Sequence, residues 1–490
     1  TVLSQMAKYD FITENQKDSL QALKMDINFS PESHREGLAT YFRMYLQGFM
    51  NKWIKKNPKP ALKGESDQWN IYLDGLRIYT TIDSRMQRNA EDAVAEHMKR
   101  LQAEFFHQNT PDRNKTAPFI EEVPGEIAGI MERAIKSSHR WHNLKDQGKS
   151  EKEIRASFNE PVEMTVFDWN SDTKEKDTLM TPMDSIKYYK SFLKTAMMSM
   201  EPQTGHVKAW VGGIDYKHFQ YDNVIQGARQ VGSTFKPFVY AAAIDQLRLS
   251  PCDALPDNRY CIEANKHGNP DPWCPKNSDG KYSGEMLTLK NALANSVNTI
   301  TAQLIDRVGP KAVVSIAKNL GITGDIPEVP SIALGTADLN VYEMVGAYGT
   351  FANQGVYVKP VMVTRIEDKN GTVLYEYVPE TKDVLSKDVS YAMLDLMSGV
   401  TQGGSGTRLR TTGAEKYRPE YKEIITGYPY EFKNPIAGKT GTTQNQSDGW
   451  FMGMVPNLVT GVWVGGDDKA VHFKTITYGQ GASMALPIWG

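Results

Sequence analysis

Hydrophobic and polar positions change rhythm several times along the chain. Residues 1–60 read as short amphipathic helices, among them 19–25 and 40–53. Near residue 70, NIYLDGLRIYTTID alternates polar and apolar positions around Asp74-Gly75, which predicts a hairpin. Ser84 then opens a long helix, rich in Glu, Lys and Arg, to about His107. Residues 108–160 are polar and charged with little to bury, so a mobile or loosely packed insertion is expected there. No repeat at solenoid spacing is present.

From about residue 186 the pattern becomes more regular. KTAMMSME and HVKAWVGG flank Pro202-Gln203-Thr204-Gly205, a second hairpin signal. Helical periodicity follows at 234–247, 286–306, 310–319, 340–353 and 388–399. Three strand patterns, IAGKTGTT, GWFMGMVP and LVTGVWVGG, come near the end with short turns between them, which predicts an antiparallel meander. Strands at both ends of a helical segment predict one sheet closed by the first and last parts of the domain. The expected fold class is therefore α+β, not a doubly wound parallel sheet.

Composition narrows the function classes. The chain has 490 residues, 40% hydrophobic and 23% charged, enough for two to four domains. Its formal net charge of −2 offers no basic field for nucleic acid. No apolar run approaches the ~20 residues of a membrane span, and no secretory signal is visible. The chain opens at Thr1 without Met and ends at ALPIWG, so it reads as a fragment whose membrane anchor is expected upstream. Cys252, Cys261 and Cys274 form no C-x-x-C pair, which argues against zinc. A Cys261–Cys274 bridge with Cys252 free and three unlinked thiols both remain open. No metal or cofactor is expected.

Candidate chemistry begins with QVGSTFKPFVYAAA, residues 230–243. Serine followed by lysine three residues on occurs five times, at Ser171, Ser191, Ser233, Ser278 and Ser315. Ser171 and Ser278 lie in turn-like stretches, Ser191 precedes a strand pattern, and Ser315 lies within an amphipathic helix. Only Ser233 follows glycine and heads a run that should be a buried helix. There the spacing puts hydroxyl and amine on one face, about a turn apart, and Pro237 is tolerated in the first turn. Burial and the helix dipole disfavour an ammonium, so Lys236 is a candidate base and Ser233 a candidate nucleophile. A serine N-cap with a solvated lysine fits the same residues.

ANSVNTI places Ser296 and Asn298 two apart where a helical pattern should turn, a pair that also suits a simple cap. GKTGTT, with Lys439, Thr440, Gly441 and Thr442, is a strand pattern able to present backbone, hydroxyls and a cation to a carboxylate. A phosphate loop is excluded, since Lys433 stands where its first glycine belongs. No G-x-S-x-G surrounds any serine, no His lies between His267 and His472, and H-E-x-x-H is absent.

In order, Ser233-Thr-Phe-Lys236, Ser296-Val-Asn298 and Lys439-Thr-Gly-Thr442 resemble the three motifs of the penicillin-recognising serine enzymes. ARQVGSTFKPFVYAAA, NALANSVNT, SIALGTADLNVYEMVGAYGTFANQGVYVKP and DGWFMGMVPNLVTGVWVGGDD resemble class A, bifunctional-type penicillin-binding proteins over roughly residues 65–490. The resemblance implies an antiparallel sheet flanked by helices plus an all-helical subdomain. It also implies a glycosyltransferase-domain tail over 1–64, without that domain's catalytic part, a linker domain over 65–185, and a transpeptidase domain over 186–490.

What the resemblance implies for chemistry is acyl transfer on peptidoglycan stem peptides ending in D-alanyl-D-alanine, on the periplasmic face of a membrane, with β-lactams acylating the same serine. Ser233 would be the nucleophile and Lys236 its base. Ser296 and Lys439 would relay a proton to the leaving amine, Asn298 would hold the donor amide, and Thr440 and Thr442, flanking Gly441, would engage the terminal carboxylate. Backbone N–H groups of Ser233 and Thr442 would form the oxyanion hole. A D,D-carboxypeptidase or β-lactamase of the same fold, or a penicillin-sensing module that does not turn over, shares the first step. The middle motif reads S-V-N rather than S-D-N, and no E-x-x-L-N segment lies between the second and third motifs, which weighs against a class A β-lactamase.

Overall fold

The computed structural model describes residues 2–23, 36–59, 67–410, 424 and 431–490. They divide into two units, Thr1–Gly37 and Leu38–Gly490. The first holds the helices Val2–Lys8 and Glu14–Ala22, the second of them opened by a Thr13/Gln16 capping box. The expected helical end at Met25 lies outside the described residues.

The second unit is organised around a five-stranded antiparallel sheet. Its order is Ala437–Thr442, Asp448–Val455, Leu458–Gly465, Lys194–Met200, Val207–Val211. The first and last parts of the domain close one sheet, as the strand patterns predicted. Both of its faces are covered, so its central strands read as nearly continuous apolar runs; all 7 residues of Lys194–Met200 are buried. Met198, Met200, Trp210 and Met452 pack toward the helices Lys236–Leu247, Val341–Ala352 and Lys387–Gly403. Met197, Val211, Phe451 and Val462 face the opposite way, onto the helix Ser84–Gln108 and the C-terminal turns Gly481–Met484 and Leu486–Trp489. That long helix is capped by Asp83 and buries Ala90, Val94, Met98, Leu101 and Phe105, a stripe hidden among its charges.

Beside the sheet lies a helical group in which Asn298–Val308 and Pro310–Asn319 pack on Lys236–Leu247, and Leu289–Ala294 packs on Lys387–Gly403. The fold is α+β.

Two expectations need correction. Asp74-Gly75 does not join a local hairpin: Arg77–Thr80 pairs with Val363–Glu367, which pairs in turn with Val373–Glu376. The turn is real, but Asp74 turns the preceding segment back on itself, accepting from Asn70 N at 2.8 Å and pairing with Lys59 at 3.0 Å. Residues 108–160 are also not loosely packed. They fold into the helices Glu126–Ser137, His139–Asp146 and Glu151–Ser157 around a small core of Ile135, Trp141, Ile154 and Phe158. Apolar residues are few there, but they are large and share one side.

Candidate active site

Gly232–Phe235 forms a short 3-10 turn that runs directly into the helix Lys236–Leu247. Gly232 takes φ +54° and donates to Gly335 O at 3.0 Å. A Cβ on Gly335, itself at φ +75°, would fall 1.9 Å from Gly232 O, so only glycine permits this close backbone approach. Tyr348 Oη donates to Thr234 O at 2.6 Å from behind. Ser233, half-buried, is thus held at the edge of a cleft, and Lys236 lies fully buried a turn further on. The turn carries no side-chain cap, so Ser233 is not an N-cap.

Lys236 Nζ donates to Ser296 O at 2.5 Å and Asn298 Oδ1 at 2.6 Å, and lies 3.2 Å from Ser296 Oγ. Desolvation first, and the neighbouring Lys439 second, hold its pKa well below the ordinary lysine value. A neutral amine spends its two N–H bonds on the two carbonyl oxygens, and its lone pair is then left for a hydroxyl proton.

Ser296 owes its position to a helix ending. After Leu289–Ala294, Val297 N donates to Ala292 O and Ser296 N to Leu293 O, the two bonds of a Schellman motif. Ser296 sits at φ +58°, where glycine is usual; a residue with a Cβ costs about 1–2 kcal/mol there. The serine supplies what glycine would not, a hydroxyl that accepts from Lys439 at 3.0 Å and lies 3.2 Å from the Lys236 amine. The next helix starts at once with Asn298, whose Nδ2 donates to Lys276 O at 2.7 Å.

The third motif lies on the edge strand Ala437–Thr442. Lys439 is fully buried, donates also to Thr440 O at 2.9 Å, and is pushed down to about 7 by desolvation. Thr442 Oγ1 accepts from Gly481 N at 3.0 Å, and Thr440 and Ser405 share a hydroxyl bond of 2.6 Å. Beyond the strand, the fully buried Asp448 binds Arg229 Nε at 2.7 Å, Trp463 Nε1 at 3.0 Å and Thr443 Oγ1 at 3.1 Å. Those bonds fix the turn that follows the strand.

The structure therefore gathers Ser233, Lys236, Ser296, Asn298, Lys439, Thr440 and Thr442 at one place, and Gly441 packs its backbone against Thr234 and Val231. Beside them opens a cleft of about 690 Å³, whose lining includes Ser233, Asn298, Thr442, Trp273, Lys276 and Asn445. Sequence reasoning missed its second wall, residues 273–278. That wall belongs to a loop closed by a Cys261–Cys274 disulfide, with Cys252 exposed and free. Ile262 and Trp273 exchange backbone bonds of 2.9 Å across it. Asp306 accepts from Tyr260 Oη, Lys266 Nζ and His267 Nε2 at 2.5, 2.9 and 2.8 Å, tying the loop to the helix that begins with Asn298. Asp257 does the same near the cleft, accepting from Thr299 Oγ1 at 2.6 Å and Asn277 Nδ2 at 2.8 Å. Of the other serine–lysine pairs only Ser278 touches the cleft, in a turn at its rim. Among the described residues no group of three or more His, Cys, Asp or Glu side chains could hold a metal ion.

The chain is similar in sequence and in fold to known proteins. Residues 114–193 match the family described as penicillin-binding protein middle domain, and residues 195–470 the penicillin-binding protein transpeptidase domain. The chain is 28% identical over 496 residues to penicillin-binding protein 1A of Aquifex aeolicus, covering 100% of this chain and 60% of that one. It is 30% identical over 453 residues to penicillin-binding protein 1A of Rickettsia felis, covering 86% and 54%. The chain thus spans little more than half the length of these relatives. Its fold matches the crystal structure of penicillin-binding protein 1A from Haemophilus influenzae with a TM-score of 0.62 at 21% identity, over 100% of this chain and 74% of that one. No described helix is long and apolar enough to cross a membrane.

Proposed function

The chain belongs to the penicillin-binding proteins with a transpeptidase domain, and from that premise we propose that it is a serine D,D-transpeptidase of peptidoglycan, acylated by β-lactams at Ser233. The observation that carries this reading is the buried, amine-favouring Lys236 one turn from Ser233, with both its strong hydrogen bonds directed at the second motif.

In this reading Ser233 Oγ attacks the carbonyl of the penultimate D-alanine as its proton passes to the Lys236 lone pair. A positioned base of this kind contributes about 10²–10⁴-fold. The oxyanion forms against the Ser233 and Thr442 backbone N–H groups. Their closeness is supported by the packing: a Cβ on Gly232 would lie 3.4 Å from Thr442 N. The proton then moves from Lys236 through Ser296 Oγ to the leaving D-alanine nitrogen, which restores the neutral amine. Lys439, pushed down to about 7 by burial, is drawn to the ammonium form by the incoming carboxylate, which Thr440 and Thr442 flank. An amine from a second peptide then attacks the acyl carbonyl, Lys236 takes its proton, and that proton passes to Ser233 Oγ as the ester bond breaks, which restores both groups. The Cys261–Cys274 disulfide supports a site of action outside the cytoplasm, on the periplasmic side.

The test supplies the chain with donor and acceptor stem peptides and maps the acyl adduct by mass. Cross-linked dimer, with penicillin mapped to the Ser233 peptide and lost in Ser233→Ala, is the expected result. Release of free tetrapeptide alone makes the chain a carboxypeptidase. An adduct without turnover makes it a sensor, and an adduct retained in Ser233→Ala removes the nucleophile assignment.

A further inference from the structure

The cleft carries one charged side chain on its described lining, and that charge is positive. Lys276 is exposed on the loop wall, and none of the described residues lining the cleft is acidic. Among the described residues no carboxylate pairs with its amine, whereas Lys266 on the same loop is held by Asp306. Its backbone is fixed from several sides. Asn298 Nδ2 binds its carbonyl at 2.7 Å, the adjacent Asn277 is bound to Asp257, and the disulfide closes the loop two residues away. A cation unpaired among the described residues, on so constrained a backbone, has its reach set from a fixed point on the cleft wall.

The Asn298 amide makes that reach specific. Its oxygen is occupied by Lys236, and one of its two N–H donors by Lys276 O. The remaining N–H is the one available to a donor-peptide carbonyl, so that carbonyl and the Lys276 backbone bind the same NH₂ group. The donor residue contributing the carbonyl, the one preceding the D-alanyl pair, therefore lies next to Lys276.

We propose that Lys276 is a specificity-determining residue that binds a side-chain carboxylate on the donor residue preceding D-alanyl-D-alanine. This rests on the transpeptidase reading above and adds the chemistry of the substrate at that position. The wall then selects donors whose third residue keeps a free acid over those in which it is an amide.

The test uses two synthetic donors ending in D-alanyl-D-alanine, differing only in a carboxylate or carboxamide at the end of the preceding side chain. The ratio of their kcat/KM values for D-alanine release is measured with the 490-residue chain. The unmodified chain favours the carboxylate. That preference falls about threefold in Lys276→Ala and about tenfold in Lys276→Glu, mainly through KM, and is retained in Lys276→Arg. It also declines as salt is raised on the unmodified chain, a readout that needs no variant. A ratio unmoved in Lys276→Glu, or lost equally in Lys276→Arg, overturns the proposal. Failure of the transpeptidase reading looks different: neither donor releases D-alanine, and penicillin leaves no adduct.

Discussion

The two walls of the cleft are built by opposite means. One is an edge strand, Ala437–Thr442, in register with Asp448–Val455 and buried against the Gly232–Phe235 turn. The other is a long loop between Leu247 and Leu289 with only two short strands, Ala254–Pro256 and Met286–Thr288, paired with each other. The first wall is positioned by a ladder and a core, the second by a disulfide and two carboxylates. Both line the cleft with Asn298 and Ser233, so one cleft is held by different interactions on its two sides, and each wall should fail in its own way.

The sharpest break in the comparison is Asp448→Ala. It leaves the Arg229 guanidinium without its partner in the buried network behind the edge strand, and should cost about 3–5 kcal/mol. Thermal unfolding should show the loss directly, with acylation lost in parallel. On the loop side, Cys261→Ser with Cys274→Ser removes a cross-link spanning 13 residues and should cost about 2–3 kcal/mol. Here the effect should fall more on the KM for peptide donors than on adduct formation with penicillin, because the motif residues are untouched. Smaller still is Asp306→Asn, which weakens the bonds from Lys266, Tyr260 and His267 and should cost about 1–2 kcal/mol. If Asp306→Asn or the cysteine pair abolished penicillin acylation outright, the division between a catalytic wall and a substrate wall would be wrong.

The same division explains what was legible in the sequence. Ser233 and Lys236 are one of five serine–lysine pairs by spacing alone, and stand out with Lys439 only when the three motifs are taken together in order. The hairpin at 194–211 and the terminal meander followed from period and turn residues. The loop wall left one trace, the Cys261–Cys274 pairing that stood open beside three unlinked thiols and is formed. Trp273, Lys276 and Asn277 gain their place from Asp257, Asp306 and a cysteine pair, partners that no periodicity links. Ser405 was equally silent, since it reaches Thr440 only because its backbone is bonded to Ala294 O. Arg77–Thr80 misled for a related reason: the turn signal before it is local, but its strand partner lies almost three hundred residues away.

The account's central claim is that Lys236 is an amine at neutral pH and serves Ser233 as base. Burial first, and Lys439 beside it, hold its pKa well below the ordinary lysine value, so the base form should be available well below that value and be lost as pH falls through the lowered one. The direct measurement is the rate of penicillin acylation at constant ionic strength, from about pH 6 to about pH 9. A rate that changes by less than about threefold above neutrality is the predicted result. A rate that climbs about tenfold per pH unit toward the ordinary lysine value of ~10.4 would contradict it.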